Sequence, residues 1–357
     1  MTVPRASQTC VAFRLGALGD VVLTTGVLDF WRRTRDLSFV FITRPGPAEI
    51  LAGHPAIEHL VTPSEAQLKG SAWIRMAAQL AREFQGLPLL DLHGTLRSRI
   101  LAARWRGPVH RYPKFGLSRR LFHRLRLDSL RRRLECTNVP QRYALALESA
   151  PPPKSELLPR IVPGADEFDR AKTLLGPLAA TERPRPVVAL HPYATHPDKA
   201  WPREHWLALA DLLEAEGLDW FVLGQDTAPL FPEQSAGPDL ARNHDLTNAS
   251  NLREACALLS LADALVTNDS GPMHLAAGVG TPVAALFGPT ARAWGFYPAG
   301  PHDIILERAM ACRPCTLHGQ NRCKGGRGCL RQIAPEEVLE AVRTILAGTE
   351  RHVSPRR

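Results

Sequence analysis

Residues 264–287 read ALVTNDSGPMHLAAGVGTPVAALF, and this stretch decides the fold class of the chain. The apolar run Ala264–Thr267 predicts a strand, Met273–Val279 predicts a helix, and Val283–Phe287 predicts a second strand. A strand, a helix and a strand in direct succession form the β-α-β unit from which parallel sheets are built. The polar residues after the first strand then lie at its carboxyl end, where such sheets bind their ligands.

The same alternation continues on both sides of this stretch. Apolar runs with helix-like segments between them occupy the first 150 residues, and the pattern restarts beyond the proline-rich segment at 150–155, which predicts a stiff linker. We therefore expect an α/β protein with two Rossmann-like doubly wound domains that face a central cleft. The predicted domains are residues 1–155 and 156–333, the second with a cysteine-rich loop at 312–329, followed by a C-terminal helix and tail at 334–357. The other predicted strands include Val11–Leu15, Phe39–Thr43, Pro88–Leu92, Pro186–Leu190 and Trp220–Leu223, and the other predicted helices include Asp20–Arg35, Trp73–Phe84, Asp166–Leu175, Trp206–Glu216, Leu252–Leu261 and Glu336–Leu346.

Length and composition exclude several classes of protein. The 357 residues are 45% hydrophobic, which suits two buried cores and excludes a wholly disordered chain. The longest stretch without a charged residue, 270–291, contains three prolines and four glycines and is therefore a poor membrane span. The polar start of the chain does not resemble a secretory signal, so we expect a cytoplasmic protein whose seven cysteines are mostly reduced.

Positive charge is concentrated in the first half of the chain. The net charge is +9, and the segment from Arg97 to Arg133 contains 13 Lys and Arg residues with Asp128 as its one acid. A field of this sign attracts phosphate groups in nucleic acid, in anionic lipid or in a phosphorylated glycolipid. The alternative is an arginine-rich helical surface that is simply solvated.

A glycine loop follows the first predicted strand. Gly16 and Gly19 permit a tight turn, and Asp20 stands at the start of the next helix. The glycine spacing differs from the dinucleotide-binding fingerprint. Backbone N–H groups in such a loop can contact an anionic or sugar ligand. Asp20 has two open interpretations, a general base and a helix cap.

Two further polar loops follow strands in the second half. The loop at 191–202 carries Lys199, suited to a phosphate, and Thr195, a hydroxyl donor. After Asn268, Ser270 and the free N–H groups of the following helix suit a diphosphate. In the same segment, Asp269 is placed to contact a sugar hydroxyl, and His274 lies one turn into the helix.

These motifs, taken in order, resemble glycosyltransferase family 9, the ADP-heptose:lipopolysaccharide heptosyltransferases. The resemblance rests on Gly16–Asp20, on Asp91–Gly94 with Arg97, on Asp198–Pro202 and on Asn268–His274. It implies a GT-B fold, with the nucleotide-sugar donor on the second domain and the acceptor on the first. It also implies inverting, metal-independent transfer of heptose from ADP-heptose to a lipopolysaccharide core or lipid A-linked acceptor.

The resemblance assigns roles to individual residues. It makes Asp20 the catalytic base. Ala194 and the segment Gly224–Asp226 depart from the family pattern near the donor site. The resemblance implies a donor site at Thr195, Lys199, Asp269, Ser270, Gly271 and His274, and an acceptor site at Gly16, Gly19, His93 and Arg97.

The resemblance also implies action at the inner face of the inner membrane, with peripheral contact to its anionic surface and no nucleic acid as a partner. Two alternatives remain. One is a related glycosyltransferase that uses another nucleotide sugar or acceptor. The other is a nucleic-acid-binding protein in which four cysteines form a zinc knuckle. Against the latter, the basic segment has few aromatic residues suited to base stacking.

Four cysteines lie close together near the end of the chain. Cys312, Cys315, Cys323 and Cys329 supply enough thiolates for one tetrahedral ion. We predict a structural zinc or iron ion there and no cofactor for catalysis, with free thiols or disulfides as the alternatives. A catalytic zinc would need an open coordination position with an activated water, which glycosyl transfer does not require.

Overall fold

The computed structural model describes residues 8–180, 184–231, 243–316, 323 and 326–350. The first part of the chain alternates strands and helices and then forms three short helices in succession. In chain order these elements are β1 (Gln8–Phe13), α1 (Leu18–Arg35), β2 (Leu37–Ile42), α2 (Pro45–Ala48), β3 (Ile57–Val61), α3 (Gly70–Glu83), β4 (Leu89–Asp91), α4 (Leu96–Ala102), β5 (Val109–Arg111), α5 (Gly116–Leu125), α6 (Asp128–Glu135) and α7 (Val139–Ala144).

The second part of the chain repeats the alternation and ends on a long helix. Its elements are α8 (Ala165–Leu175), β6 (Val187–His191), α9 (Arg203–Ala215), β7 (Asp219–Val222), β8 (Asn243–Asp245), α10 (Leu252–Ser260), β9 (Ala264–Asn268), α11 (Gly271–Val279), β10 (Val283–Phe287), β11 (Ile304–Glu307), α12 (Gly328–Arg331) and α13 (Pro335–Glu350).

The strands form two parallel sheets. The first has the order β3-β2-β1-β4-β5 and the second the order β11-β10-β9-β6-β7-β8. Every described strand pair is parallel, as crossover helices require. The central strands β2, β6, β9 and β10 are buried along their whole length, which explains their continuous apolar sequence. The prediction of two doubly wound α/β sheets is confirmed.

The sequence did not predict the short edge strands. β5 has three residues and β3 is half-exposed, so neither shows a run of apolar side chains. The predicted strands and helices are all present, with boundaries that differ by a few residues, as expected where helix and strand ends fray.

The chain divides into two compact units. The first consists of the residues up to Phe115 together with Thr137–Val162, and the second of Gly116–Cys136 together with the residues from Pro163 onward. The proline-rich segment packs within the first unit, where the carbonyl of Pro152 accepts a hydrogen bond from Gln141 at 2.7 Å. Gly26 of α1 also approaches this part of the chain closely, because a Cβ there would lie 2.2 Å from the carbonyl oxygen of Leu158.

Two helical segments join the second unit. The basic helices α5 and α6 belong to it, although the chain on both sides of them belongs to the first unit. α13 covers the second sheet with Val338, Leu339 and Val342 in the core. Among the described helices, none is long and apolar enough to cross a lipid bilayer.

Candidate active site

The two groups of predicted polar residues each lie at the switch point of a sheet. In the first sheet the strand order reverses between β1 and β4, and the segments after these strands carry Asp20, at the start of α1, and His93. In the second sheet it reverses between β6 and β9, which end at His191 and Asn268. Helices leave such a pair of strands in opposite directions, which opens a crevice for ligands at their carboxyl ends.

Asp20 is the third residue of α1 and closes the glycine loop. Gly16 has a φ of +149°, a backbone conformation that side-chain-bearing residues rarely adopt, so the turn favours glycine. Oδ2 of Asp20 accepts the N–H of Ala17 at 3.3 Å, which is the capping interaction that the sequence allowed. The same oxygen lies 2.5 Å from Nη2 of Arg14. Asp20 therefore caps α1 and also belongs to a charged cluster.

Arg14 and Tyr143 hold the Asp20 carboxylate from two sides. The Tyr143 hydroxyl donates to Oδ1 of Asp20 at 2.9 Å, and the Arg14 guanidinium lies 5.5 Å from the centre of the Tyr143 ring. Arg14 also donates to the carbonyl of Leu92 at 2.8 Å. Burial raises the pKa of Tyr143 well above its usual range, so this hydroxyl keeps its proton. Arg14 and Tyr143 therefore orient the Asp20 carboxylate, which is 16% exposed.

His93 lies in the same electrostatic environment. Burial, together with the positive charges of Arg14 and Lys114, lowers the pKa of its imidazole to about 3. The ring is therefore neutral near pH 7 and packs edge-on against Phe13, with centroids 5.8 Å apart. A neutral imidazole at the carboxyl end of β4 offers a hydrogen-bonding group without adding charge.

The side chain and carbonyl of Arg97 form hydrogen bonds within the first unit instead of joining the Asp20 cluster. Its Nε donates to the carbonyl of Leu68 at 2.9 Å, and its own carbonyl accepts the indole N–H of Trp73 at 3.1 Å. These bonds attach α4 to the neighbouring α3. In the described part of the chain, no ion pair joins Arg97 to Asp20. Its predicted contact with an acceptor stays a prediction.

Lys199 and Asp269 form the centre of the second site. Nζ of Lys199 lies 2.8 Å from Oδ2 of Asp269 and donates to the carbonyl of Asp269 at 3.1 Å. The hydroxyl of Thr290 donates to the same carboxylate oxygen at 2.6 Å. The structure thus brings together two of the predicted donor-binding residues. An ammonium group has three protons, and two of them are directed at Asp269.

Three polar side chains converge beside them. Nδ1 of His191 lies 3.2 Å from the hydroxyl of Thr267 and 3.3 Å from that of Ser270. Complete burial lowers the pKa of His191 to about 4, so the ring is neutral and exchanges hydrogen bonds with both hydroxyls. Ser270 is the N-cap of α11, and Gly271 begins the helix. The polar network therefore ends at a helix N-terminus, which favours negative charge.

The other predicted donor residues occupy different surroundings. Thr195 is exposed, and among the described residues no hydrogen bond holds its hydroxyl. His274 is buried within α11 at 6% exposure, one turn into the helix as predicted. Ser270 and Gly271 directly follow Asp269, which Lys199 contacts, and the roles of Thr195 and His274 stay predictions.

The four clustered cysteines are electrostatic neighbours. Burial, together with the nearby thiols of Cys312, Cys323 and Cys329, raises the pKa of the Cys315 thiol to about 12. Within the ranges that the structure describes, no group of three or more His, Cys, Asp or Glu side chains is arranged to hold a metal ion. Positions 317–322 and 324–325 of the predicted loop lie outside the described residues.

The cysteine segment also contacts the loop that carries Lys199. The backbone N–H of Cys323 donates to Oδ2 of Asp198 at 3.0 Å, and Arg327 donates to the carbonyl of Pro197 at 3.2 Å. Asp198 directly precedes Lys199. Hydrogen bonds from Cys323 and Arg327 therefore join the loop that carries Lys199.

Sequence reasoning did not single out Thr267, and it missed four other residues of these two clusters. Arg14 could have been found from the sequence, because it is a charged residue directly after an apolar strand. Its side chain is 6% exposed. His191 also follows such a strand. Tyr143 and Thr290 gave no signal, because neither lies near a recognisable motif in the sequence.

Two doubly wound units, each with polar residues at its switch point, define the GT-B class of protein. The chain belongs to glycosyltransferase family 9 (heptosyltransferase), whose family model matches residues 89–324, about two thirds of its length. The match includes the Lys199 loop, the Asn268–His274 segment and His93.

Individual relatives agree with this assignment. The chain is 31% identical over 224 residues to lipooligosaccharide heptosyltransferase 2 of Haemophilus influenzae, an alignment that covers 58% of this chain and 62% of the relative. The fold matches that of Escherichia coli ADP-heptose lps heptosyltransferase II with a TM-score of 0.67 and 20% identity, over 96% and 99% of the two chains. It also matches the iron-containing dodecameric glycosyltransferase TibC of enterotoxigenic E. coli, with a TM-score of 0.57 and 14% identity, over 96% and 77%.

Proposed function

We propose that this protein transfers a heptose from ADP-heptose to an acceptor in the lipopolysaccharide core, at the cytoplasmic face of the inner membrane. Membership of the heptosyltransferase family and the names of the relatives support this substrate class. The observation that carries the proposal is the Asp20 carboxylate, which Arg14 and Tyr143 hold at the switch point of the first sheet.

Asp20 activates the acceptor in this proposal. A carboxylate has about four acceptor positions, and Ala17, Arg14 and Tyr143 occupy three of them. The remaining position accepts the acceptor hydroxyl, whose proton moves to Asp20 as its oxygen attacks the anomeric carbon of the heptose. The contacts that fix the carboxylate hold it in one orientation, which favours the proton transfer.

The second site receives the leaving group. As the bond between the anomeric carbon and the phosphate oxygen breaks, its electron pair passes to that oxygen, and the charge of the departing ADP increases. The third proton of the Lys199 ammonium and the first N–H groups of α11 are placed to stabilise that charge. The oxygen enters opposite the leaving group, so the anomeric configuration inverts. This reaction uses no metal ion, since Lys199 supplies the positive charge.

We also propose that the four cysteines hold one structural zinc or iron ion. Four thiolates suit either ion, and the influence of the other three thiols on the pKa of Cys315 supports their clustering. When bound, the ion crosslinks a loop that has little apolar surface to bury. Cys323 would then help to fix Asp198 and, through it, the loop that carries Lys199.

A donor comparison tests the proposed function. The full chain is incubated with a lipopolysaccharide core acceptor that lacks its heptoses, together with ADP-heptose, ADP-glucose or UDP-N-acetylglucosamine, and product is followed by mass spectrometry. We expect transfer from ADP-heptose that exceeds transfer from the other donors by at least about 10²-fold, since a site that pairs with particular hydroxyls rejects analogues lacking them. Faster transfer from another donor would identify a related glycosyltransferase instead. Loss of activity on removal of metal, with ADP affinity unchanged, would contradict the metal-independent mechanism.

A further inference from the structure

An exposed row of leucines lies on the helical hairpin formed by α5 and α6. Leu117, Leu121 and Leu125 are spaced four residues apart, so they share one side of α5, and Leu127 follows at its end. Their exposed fractions are 71%, 38%, 51% and 49%. Among the described residues, seven large hydrophobic side chains are exposed, and these four lie within eleven positions. Such clustering on a surface indicates an interaction site.

Arginines surround this row. Arg120 and Arg124 lie beside the leucines on α5, and Arg132 lies on α6; all three are exposed. Within the ranges that the structure describes, no hydrogen bond or ion pair holds their guanidinium groups. Residues 116–136 contain seven arginines against two acids, Asp128 and Glu135. The surface is therefore both apolar and strongly basic.

The opposite side of the hairpin is fixed to the second unit. Phe122 is buried and packs edge-on against Trp294, with ring centroids 5.8 Å apart. The ring of His123 hydrogen-bonds the carbonyl of Cys315 at 3.0 Å, and Arg126 donates to the carbonyls of Ala311 and Arg313. The hairpin is thus held from its inner side, while the leucines point away from these contacts.

We propose that this leucine–arginine surface, Leu117–Leu127 with Arg132, docks on an anionic lipid bilayer. The leucines would enter the boundary between headgroups and acyl chains, and the arginines would bind the lipid phosphates. A nucleic acid is the less suitable occupant, because Phe122 is buried and the exposed side of the hairpin offers no aromatic ring for base stacking. The inference deepens the proposed function, since it explains how the enzyme reaches a lipid-linked acceptor.

Vesicle sedimentation of the full chain tests the proposal. Vesicles of phosphatidylcholine are compared with vesicles that also contain phosphatidylglycerol. We expect binding only to the anionic vesicles, weakened by added salt. The triple variant Leu117→Ser, Leu121→Ser, Leu125→Ser should lower the partition coefficient by at least about tenfold, since each leucine contributes hydrophobic partitioning. The pair Arg120→Gln, Arg124→Gln should lower it by about tenfold or more. Leu96→Ser, which replaces a leucine that is 74% exposed elsewhere, is the control and should bind like the parent.

Three results would overturn the inference. The first is binding of the leucine variant that equals that of the parent. The second is tight binding of RNA by the parent with none to vesicles. The third is a dimer of the parent that the leucine substitutions dissociate, with no change in vesicle binding.

Turnover with a deacylated acceptor separates this inference from the proposed function. The leucine and arginine variants should match the parent in that assay, and a parent that shows no transfer would remove the function while the vesicle result stands.

Discussion

The phenolic hydroxyl of Tyr143 donates to Oδ1 of Asp20 at 2.9 Å, although 123 positions separate the two residues in the chain. α7 carries Tyr143 back to the first unit after α5 and α6, which belong to the second unit. The most distinctive contact of the candidate base therefore depends on a return of the chain and not on the glycine loop beside Asp20.

Replacement of Asp20 tests its role as the base. Asp20→Asn should lower turnover by roughly 10²–10⁴, the usual loss for a general base, and should leave ADP affinity unchanged. The matched control is Asp29→Asn, on the same helix, whose carboxylate pairs with Arg33 and Arg160. Steady-state kinetics and calorimetry with ADP measure the two effects. Turnover of Asp20→Asn within a few-fold of the parent would reduce Asp20 to a helix cap.

The hydrogen bond from Tyr143 should contribute to turnover. It fixes Oδ1 of Asp20, so Tyr143→Phe should lower kcat by about 10- to 100-fold through loss of that orientation. Steady-state kinetics measures this loss, and calorimetry should show an unchanged ADP affinity. Tyr193→Phe removes a tyrosine hydroxyl of the second unit that bonds Thr247, and serves as the control. A folded Tyr143→Phe variant with lower stability and unchanged kcat would give Tyr143 a purely structural role.

Lys199 should dominate the binding of ADP. Lys199→Ala should weaken it by about 1.5–3 kcal/mol, the scale of a charge-assisted hydrogen bond, and it leaves the Asp269 carboxylate without its cation. Lys172→Ala removes an exposed lysine 4.0 Å from Asp169 and should change nothing. Calorimetry measures the ADP affinity of both variants. An unchanged affinity in Lys199→Ala would exclude this lysine from the site.

His191 should make the fold sensitive to acid. Its pKa is about 4 in the folded protein and about 6.5 in an unfolded chain, so between these values the unfolded chain binds the extra proton. The free energy of unfolding therefore falls with pH below about 6.5, by about 2 kcal/mol between pH 7 and pH 5 from this residue. Urea unfolding at the two pH values should show a smaller loss in His191→Gln. Equal losses in variant and parent would mean that His191 does not titrate in this way.

The cysteine cluster is tested by metal content. Cys312 and Cys136 are both exposed, so Cys312→Ser can be compared with Cys136→Ser without disturbance of a core. We expect about one equivalent of zinc or iron in the parent and in Cys136→Ser, and a loss of metal with a lower Tm in Cys312→Ser. Anaerobically purified parent with less than about a tenth of an equivalent and four titratable thiols would contradict a structural metal site.

The sequence by itself determined the main strands and helices of both sheets and the loops that carry the candidate site residues. The run from Ala264 to Phe287 is a local β-α-β unit, and strand and helix periodicity are local properties that a sequence displays directly. Asp20, Lys199 and Ser270 were all found because each directly follows an apolar strand or its turn. The family resemblance rested on these same loops.

Only the tertiary structure decided which of these residues meet. Lys199 and Asp269 are 70 positions apart, and they form an ion pair because β6 and β9 are neighbours in the second sheet. Arg14 reaches Tyr143 only because the chain returns after α6. Packing also turned Arg97 toward the carbonyl of Leu68 and left the leucines of α5 exposed. Contacts between residues far apart in the chain depend on strand order and packing, which periodicity and spacing do not encode.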